Sequence, residues 1–202
     1  TEKELLDPIN HYGNTKLCIE KMLEDIFRSD KEKWRIASLR YFNPCGAHYS
    51  GLIGEDPLIN TFNIFPTFLK VINKEIDKFP IYGCDWPTKD GTCIRDYIHV
   101  MDLAEAHLSS LIHISNNKPN LIHLNIGTGK GVSVLELIQT FCKVNNCKIP
   151  YYFADRREGD AAVVVANNSL ALKLIPWKPK KDLKDMCKDT WSWNFNKKSA
   201  LR

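Results

Sequence analysis

A tyrosine and a lysine near the start of the chain have side chains and a spacing that suit proton transfer. Tyr12 and Lys16 stand four residues apart within residues 11–28, where apolar side chains recur with helical spacing, so we predict a helix there. Side chains at i and i+4 of a helix meet on one face. An ammonium group beside a phenol stabilises the phenolate and lowers the pKa of the phenol. The pair therefore suggests a base that acts on a hydroxyl group.

This pair alone is a weak signal, because a tyrosine and a lysine at this spacing are common on exposed helices. Its interpretation depends on motifs that follow in order along the chain. The motifs are residues 12–16 (YGNTK), 39–48 (LRYFNPCGAH), 51–57 (GLIGEDP), 87–92 (PTKDGT), 95–103 (RDYIHVMDL) and 156–160 (RREGD). Together they resemble the UDP-glucose 4-epimerases of the extended short-chain dehydrogenase/reductase superfamily. The resemblance runs from about residue 12 to residue 193.

The resemblance implies an enzyme of galactose metabolism that uses NAD to interconvert UDP-galactose and UDP-glucose by reversible oxidation at C4 of the hexose. UDP-N-acetylhexosamines are a wider substrate range to consider. Tyr12 corresponds to the catalytic acid/base, and Lys16 to its partner, which also bonds the nicotinamide ribose. Tyr41 is implied to contact NAD and substrate, and Phe42 and Asn43 to contact substrate.

The resemblance also implies a site for the UDP group. Arg95 and Arg157 correspond to arginines that clamp the diphosphate, and Tyr82 to the ring that stacks on uracil. Guanidinium groups bind such oxygens in pairs, although each arginine taken alone would indicate only a surface ion pair. The full set of implied substrate residues is Tyr41, Phe42, Asn43, Phe62, Asn63, Ile64, Pro80, Ile81, Tyr82, Arg95, Arg157, Glu158, Gly159 and Asp160.

Three positions depart from the family's pattern. Phe62 stands where the family usually has the first of two adjacent asparagines, so one polar contact changes. Val164 stands where some members carry a large aromatic residue that limits the sugar pocket, and its smaller size suggests room for an N-acetyl group. Cys93 replaces a usual glycine just before the strand that carries Arg95.

The composition argues against several other classes of protein. Hydrophobic residues make up 44% and charged residues 26% of the chain, which is typical of a globular protein. The net charge of +4 is spread along the chain, so we expect no nucleic-acid partner. Seven cysteines without a C-x-x-C pair favour reduced thiols in a cytoplasmic protein and no metal site. We expect neither a signal peptide nor a membrane segment.

A glycine-rich segment, residues 127–131 (GTGKG), lies between a predicted strand and a predicted helix. Ser133 and Glu136 form a capping box at the start of that helix. The glycines lack the full spacing of a phosphate-binding fingerprint. We therefore interpret the segment as a tight strand-to-helix turn.

Predicted strands and helices alternate along the chain, which indicates an α/β fold. We interpret it as the C-terminal portion of a Rossmann-type doubly wound sheet plus a smaller mixed α/β substrate-binding domain. Residues 1–43 are assigned to the NAD-binding Rossmann domain and residues 44–202 mainly to the UDP-sugar-binding domain, with some segments returning to the Rossmann sheet. The predicted elements include a mostly buried strand at residues 36–42, a long functional loop at 45–61 and a helix at 65–76.

The resemblance places the glycine-rich NAD loop, and a Ser or Thr that assists Tyr12, before residue 1. We therefore expect the chain to be the C-terminal part of a longer protein, and to be inactive alone because a partial parallel sheet exposes an edge. One alternative is another nucleotide-sugar enzyme of the superfamily, such as a dehydratase, decarboxylase or reductase. The other is an inactive UDP-sugar-binding fragment. A homodimer is one assembly to consider.

Overall fold

The structure, a computed structural model, describes residues 1–57 and 63–200. Helices and strands alternate along most of the described chain, so the predicted α/β class is confirmed. The helices are α1 (His11–Ser29), α2 (Ile64–Ile72), α3 (Val100–Asn116), α4 (Val134–Val144), α5 (Ser169–Leu174) and α6 (Leu183–Ala200). The strands are β1 (Arg35–Tyr41), β2 (Asn43–Cys45), β3 (Phe79–Tyr82), β4 (Ile94–His99), β5 (Asn120–Ile126), β6 (Gly131–Ser133), β7 (Tyr151–Ala154) and β8 (Val163–Val164).

Most strand pairs are parallel. β1 pairs with β5, so that Tyr41 lies opposite Ile126 at their carboxyl ends. β4 pairs in parallel with β2 and β8 and antiparallel with β6, and β3 pairs in parallel with β7. In α/β proteins ligands bind beyond the carboxyl ends of parallel strands. The residues that follow β1 and β3 are therefore well placed for a site.

Two hydrophobic cores lie on either side of β4. The first packs α3 and α5 against β5, and the second lies among α2, α4, α6 and β3. Consecutive residues of β4 serve different cores, because Ile98 packs in the first and Tyr97 in the second, as the alternation of a strand requires. In the second core the rings of Phe68 and Phe141 are fully buried, with centroids 5.3 Å apart. β4 is thus held rigidly from both faces.

Helix α1 forms where it was predicted, but it buries no residue against the described chain. Its apolar side chains Ile19 and Met22 are exposed. The helix is tied to β1 by a polar contact, in which Arg40 donates to both carboxylate oxygens of Glu20 at 2.8 and 2.6 Å. The expectation of a mostly buried strand at residues 36–42 is wrong for the same region. β1 is only half-buried because, among the described residues, it pairs on one edge.

Helix α2 ends four residues before the predicted end. The chain leaves the helix after Ile72, and Lys74 adopts a left-handed backbone with φ of 61°. Ile76 therefore lies outside the helix, although its side chain still packs on the second core. The apolar spacing predicted a contact correctly but extended the helix too far.

The glycine-rich segment is a tight turn that holds an internal carboxylate. Asp96, which is fully buried on β4, accepts hydrogen bonds from the backbone N–H groups of Thr128 at 2.8 Å and Gly129 at 2.9 Å. It also accepts from Ala166 N–H at 3.2 Å. The turn was predicted, and Ser133 caps α4 by accepting from Glu136 N–H at 3.0 Å. The backbone N–H groups of Thr128, Gly129 and Lys130 are thus all used within the protein.

In the described part of the chain, no helix combines the length and apolar character that a membrane span needs. The same residues contain no cluster of three or more side chains arranged to hold a metal ion. All seven cysteines are free thiols, of which Cys45, Cys93 and Cys187 are buried.

Candidate active site

A cavity of about 320 Å³ opens beside β3, β4 and the first turn of α2. Its size is within the usual range of small-molecule sites. Eight of the residues predicted to bind substrate line it, which brings together segments that are far apart in the sequence. These eight are Asn43, Asn63, Ile64, Pro80, Tyr82, Arg95, Arg157 and Asp160.

Arg95 is fixed in the wall of the cavity by three acceptors. Its Nη1 donates to the carbonyl oxygens of Ile94 at 2.9 Å and Ala161 at 2.7 Å, and its Nη2 donates to Asp160 at 3.3 Å. Only 15% of the Arg95 side chain is exposed. A guanidinium held in this way is pre-oriented for an anionic ligand, since little side-chain freedom remains to be lost on binding.

Two arginines stack on two aromatic rings at the carboxyl end of β3. The guanidinium of Arg157 lies 3.5 Å from the ring centroid of Tyr82, and that of Arg156 lies 4.1 Å from the ring centroid of Trp86. Trp86 Nε1 donates to the carbonyl oxygen of Tyr82 at 3.1 Å. Gly83 joins these residues with a left-handed φ of 81°, and a side chain there would clash with Trp86. The aromatic ring of the cavity is therefore positioned by a compact turn.

Asn63 directly precedes α2 and lies at the cavity wall. Its Nδ2 donates to Glu55 Oε1 at 2.6 Å, and its carbonyl oxygen accepts from Thr67 Oγ1 at 2.7 Å. The first-turn residues Ile64 and Phe65 also line the cavity. The amino end of a helix carries a partial positive charge and unpaired N–H groups, so this wall favours an anion.

Other groups in the wall are neutral. Burial raises the pKa of the Cys93 thiol and raises the pKa of the Tyr97 phenol well above its ordinary value. The charged side chains that line the cavity are the arginines Arg95 and Arg157 and the acids Glu55 and Asp160. Each acid has a polar partner, because Glu55 pairs with Asn63 and Asp160 with Arg95.

Several predicted substrate residues lie outside the cavity lining. Ile81 is buried in the second core, since alternate residues of β3 point to opposite faces, so only its backbone can reach a ligand. Phe42, Glu158 and Gly159 are absent from the lining. Phe62 lies outside the described residues.

Tyr12 and Lys16 meet on one face of α1, as predicted. Lys16 Nζ lies 4.9 Å from the centroid of the Tyr12 ring, and 73% of Tyr12 is exposed. The pair does not line the cavity. A Cβ built on Gly159 would lie 3.8 Å from Asn10 Cβ, which places the start of α1 beside the turn that carries Arg157.

Tyr41 lies at the carboxyl end of β1 and is half exposed. Its hydroxyl is 3.4 Å from His107 Nε2, and its ring centroid is 5.4 Å from that of His107. Tyr12, Lys16 and Tyr41 suit the nicotinamide end of a dinucleotide, since they offer a phenol, an ammonium and an exposed ring. The glycine-rich turn does not suit the pyrophosphate, because Asp96 occupies its backbone donors.

Sequence reasoning missed three residues of this region. Glu55 belongs to a recognised motif but received no role, and Trp86 and Arg156 received none either. Asp85 and Arg156 form an ion pair at 2.8 Å, and this hydrogen bond holds the pKa of Asp85 below its ordinary value. The acid and the arginine are 71 residues apart in the sequence, so no local pattern indicates their contact.

Comparison with known proteins gives the same identification as the motifs. Residues 1–127 match the sequence model of the NAD dependent epimerase/dehydratase family. UDP-glucose 4-epimerase 2 of Arabidopsis thaliana is 46% identical over 196 residues, covering 97% of this chain and 56% of the relative. The UDP-glucose 4-epimerase of Bacillus subtilis is 46% identical over 193 residues, covering 96% and 56%. The chain thus spans about half the length of these curated relatives.

Solved structures agree with the fold. The UDP-glucose-4-epimerase (galE) of Stenotrophomonas maltophila, with bound NAD and formylated UDP-arabinopyranose, has a TM-score of 0.89 and 45% identity, covering 94% of this chain and 56% of that chain. The UDP-glucose 4-epimerase of Bifidobacterium longum, in complex with NAD+ and UDP, has a TM-score of 0.89 and 40% identity. The match covers 96% of this chain and 59% of that chain. Since the family model covers more than half of the chain, the chain belongs to the NAD dependent epimerase/dehydratase family.

Proposed function

We propose that the protein containing this chain is an NAD-dependent UDP-glucose 4-epimerase that interconverts UDP-galactose and UDP-glucose. The observation that carries the proposal is the cavity in which Arg95, Arg157, Tyr82 and the first turn of α2 converge. Two relatives of known structure were solved with UDP or a UDP-sugar together with NAD. The same two ligands are therefore assigned to this protein.

The cavity supplies complementary groups for each part of a UDP group. Arg95 and Arg157 provide guanidinium donors for the diphosphate, and the amino end of α2 adds its partial positive charge. Tyr82 provides a ring face for the flat uracil. Asp160 provides an acceptor for a ribose hydroxyl, and its bond to Arg95 fixes its position.

The proton transfer is assigned to the pair on α1. Tyr12 Oη, as phenolate, accepts the proton of the hexose 4-hydroxyl, while the positive charge of Lys16 stabilises the phenolate. NAD, when bound, would supply the hydride acceptor and donor for C4 of the hexose. Tyr12 Oη then returns the proton to the 4-oxygen, so the reaction causes no net oxidation. Tyr41, with Lys16, holds the nicotinamide end in this proposal.

The domain assignment belongs to the same proposal. Residues 1–43 are assigned to the cofactor-binding part and residues 44–202 mainly to the substrate-binding part, and the presence of two cores supports a division. The packing of α3, β5 and α5 in the first core supports the proposed return of segments of the second range to the Rossmann sheet. We also propose that the full-length protein forms a homodimer and is located in the cytoplasm. The exposed apolar side chains of α1 favour an interface at this helix, since a partner would bury them.

The test is turnover by the full-length protein. Supplied with UDP-galactose, it should form UDP-glucose without added oxidant or reductant. Tyr12→Phe should lower kcat by about 100-fold or more, the usual scale of general acid–base catalysis. Tyr151→Phe is the matched control, because Tyr151 lies on β7 outside the cavity lining. Absence of turnover in the unaltered protein, or its persistence in Tyr12→Phe, contradicts the assignment.

A further inference from the structure

We propose that Trp193 is a positioning residue for the substrate cavity, through the loop of residues 51–56 and the Glu55–Asn63 pair. The inference rests on the proposed function, because it concerns how the same cavity is held in shape. Trp193 itself does not line the cavity. It lies on α6, 138 residues away from Glu55 in sequence.

Trp193 holds the loop by a hydrogen bond and by close packing. Its Nε1 donates to the carbonyl oxygen of Glu55 at 3.2 Å. The indole lies so close to Gly54 that a side chain at position 54 would clash with it. A glycine is therefore required for the ring to reach the Glu55 backbone.

Two other residues on the same face of α6 also contact this loop. Asn196 Nδ2 donates to the carbonyl oxygen of Gly51 at 3.2 Å, and Lys197 forms an ion pair with Asp56. Trp193, Asn196 and Lys197 are spaced at i, i+3 and i+4, so they share one helical face. One side of α6 thus contacts both ends and the middle of the loop.

The loop passes this restraint to the cavity through Glu55. The Glu55 carboxylate accepts from Asn63 Nδ2 at 2.6 Å, and both residues line the 320 Å³ cavity. They also line a second, more apolar cavity of about 500 Å³ beside it, so the pair forms a wall between the two. An ionised carboxylate can only accept hydrogen bonds. The fixed Glu55 therefore sets the Asn63 amide with its oxygen directed away from Glu55.

The expected effect is on ligand binding and not on the chemical step. Trp193→Phe keeps a ring against Gly54 but removes the N–H that holds Glu55. Loss of one such hydrogen bond corresponds to a fold-change of about five in affinity. KM for the UDP-hexose should rise by that factor, while kcat should stay within about two-fold.

A double-mutant cycle on the full-length protein tests whether the effect passes through Asn63. The dissociation constant of UDP is measured by calorimetry for the unaltered protein, Trp193→Phe, Asn63→Ala and the double variant. Coupled residues give non-additive changes, so Trp193→Phe should weaken UDP binding about five-fold alone but less than about two-fold in the Asn63→Ala background. Lys188→Ala, an exposed change elsewhere on α6, is the control and should leave UDP affinity unchanged.

The outcomes separate this inference from the proposed function. If the unaltered protein does not bind UDP, the proposed function and the inference both fail. If it binds UDP but the two changes are additive, only the inference fails. Should Trp193→Phe not fold, Gly54→Ala replaces it in the cycle with Asn63→Ala, because a side chain at position 54 displaces the indole from the loop. The same non-additivity is expected there, and additivity again overturns the inference.

Discussion

The wall of the proposed nucleotide cavity and helix α1, which carries Tyr12, are held in place in different ways. The cavity is built on β4, which is buried between two hydrophobic cores, and Arg95 in its wall is held by three acceptors. Helix α1 buries no residue and is tied to β1 by the Arg40–Glu20 ion pair. Within the described residues, packing from two cores thus holds the cavity wall, whereas α1 has no fully buried side chain and is tied to β1 by a polar contact.

The contrast predicts a large difference in how the two regions tolerate loss of apolar side chains. Phe141 is fully buried and contacts the rings of Phe65 and Phe68. Phe141→Ala should lower the free energy of unfolding by about 3–5 kcal/mol. Ile19→Ala, at a half-exposed position on α1, should lower it by about 0.5 kcal/mol or less. Urea titration followed by circular dichroism measures both, and comparable losses would contradict the contrast.

The next test removes one of the two positive charges in the cavity wall. Arg95→Ala removes a guanidinium and leaves the Asp160 carboxylate without its partner beside an anionic ligand. We expect UDP affinity to fall by about 100-fold, since hydrogen bonds to charged groups are worth about 1.5–3 kcal/mol and a repulsion is added. Arg95→Lys should recover part of the affinity. A change below about three-fold would show that the cavity does not bind the diphosphate.

The attachment of α1 should depend on pH. The hydrogen bond from Arg40 holds the pKa of Glu20 below its ordinary value of 4.5. A carboxyl group with a lowered folded-state pKa contributes stability above its unfolded pKa and loses it as the pH falls through the folded one. The amide protection of α1 should therefore decrease below about pH 4.5, while that of the second core persists.

Hydrogen exchange, expressed as protection factors at pH 7 and pH 3.5, measures this difference. Glu20→Gln is the control, because it removes the titrating group. It should lower α1 protection by about 1 kcal/mol at pH 7, a value reduced for partial solvent screening, and should flatten the pH response. His123 Nδ1 lies 3.7 Å from Glu20, so a charge on the imidazole could also change α1 protection with pH. The same two measurements in a His123→Gln background remove that contribution. Equal loss of protection in α1 and the second core would contradict the prediction.

The sequence predicted the residues that line the cavity better than the residues that hold them in position. Motif resemblance identified Asn43, Tyr82 and Arg95, because such residues occur in short recognisable runs. The contact of Trp193 with Glu55 joins residues far apart in sequence, and no periodicity indicates it. Helical spacing predicted α1 correctly. It indicates which face of the helix is apolar, but it does not indicate which part of the protein packs against that face. The early end of α2 depends on the left-handed Lys74, for which the sequence offers no glycine.

Two adjacent arginines allow residues that bind the ligand to be distinguished from residues that only support the cavity. Arg157 lines the cavity and stacks on Tyr82, whereas Arg156 lies outside the lining and contacts Asp85 and Trp86. Arg157→Ala should weaken UDP binding by about ten-fold, as expected for loss of a charged donor.

Arg156→Ala should weaken UDP binding by only about two-fold, because its effect reaches the ligand indirectly. Loss of Arg156 frees one face of Trp86, whose Nε1 bonds the Tyr82 carbonyl oxygen, so the turn that positions Tyr82 loosens without losing a ligand contact. Calorimetric titration with UDP compares the two variants under identical conditions. If Arg156→Ala costs as much affinity as Arg157→Ala, the diphosphate site extends beyond the cavity, and the boundary drawn between binding and supporting residues is wrong.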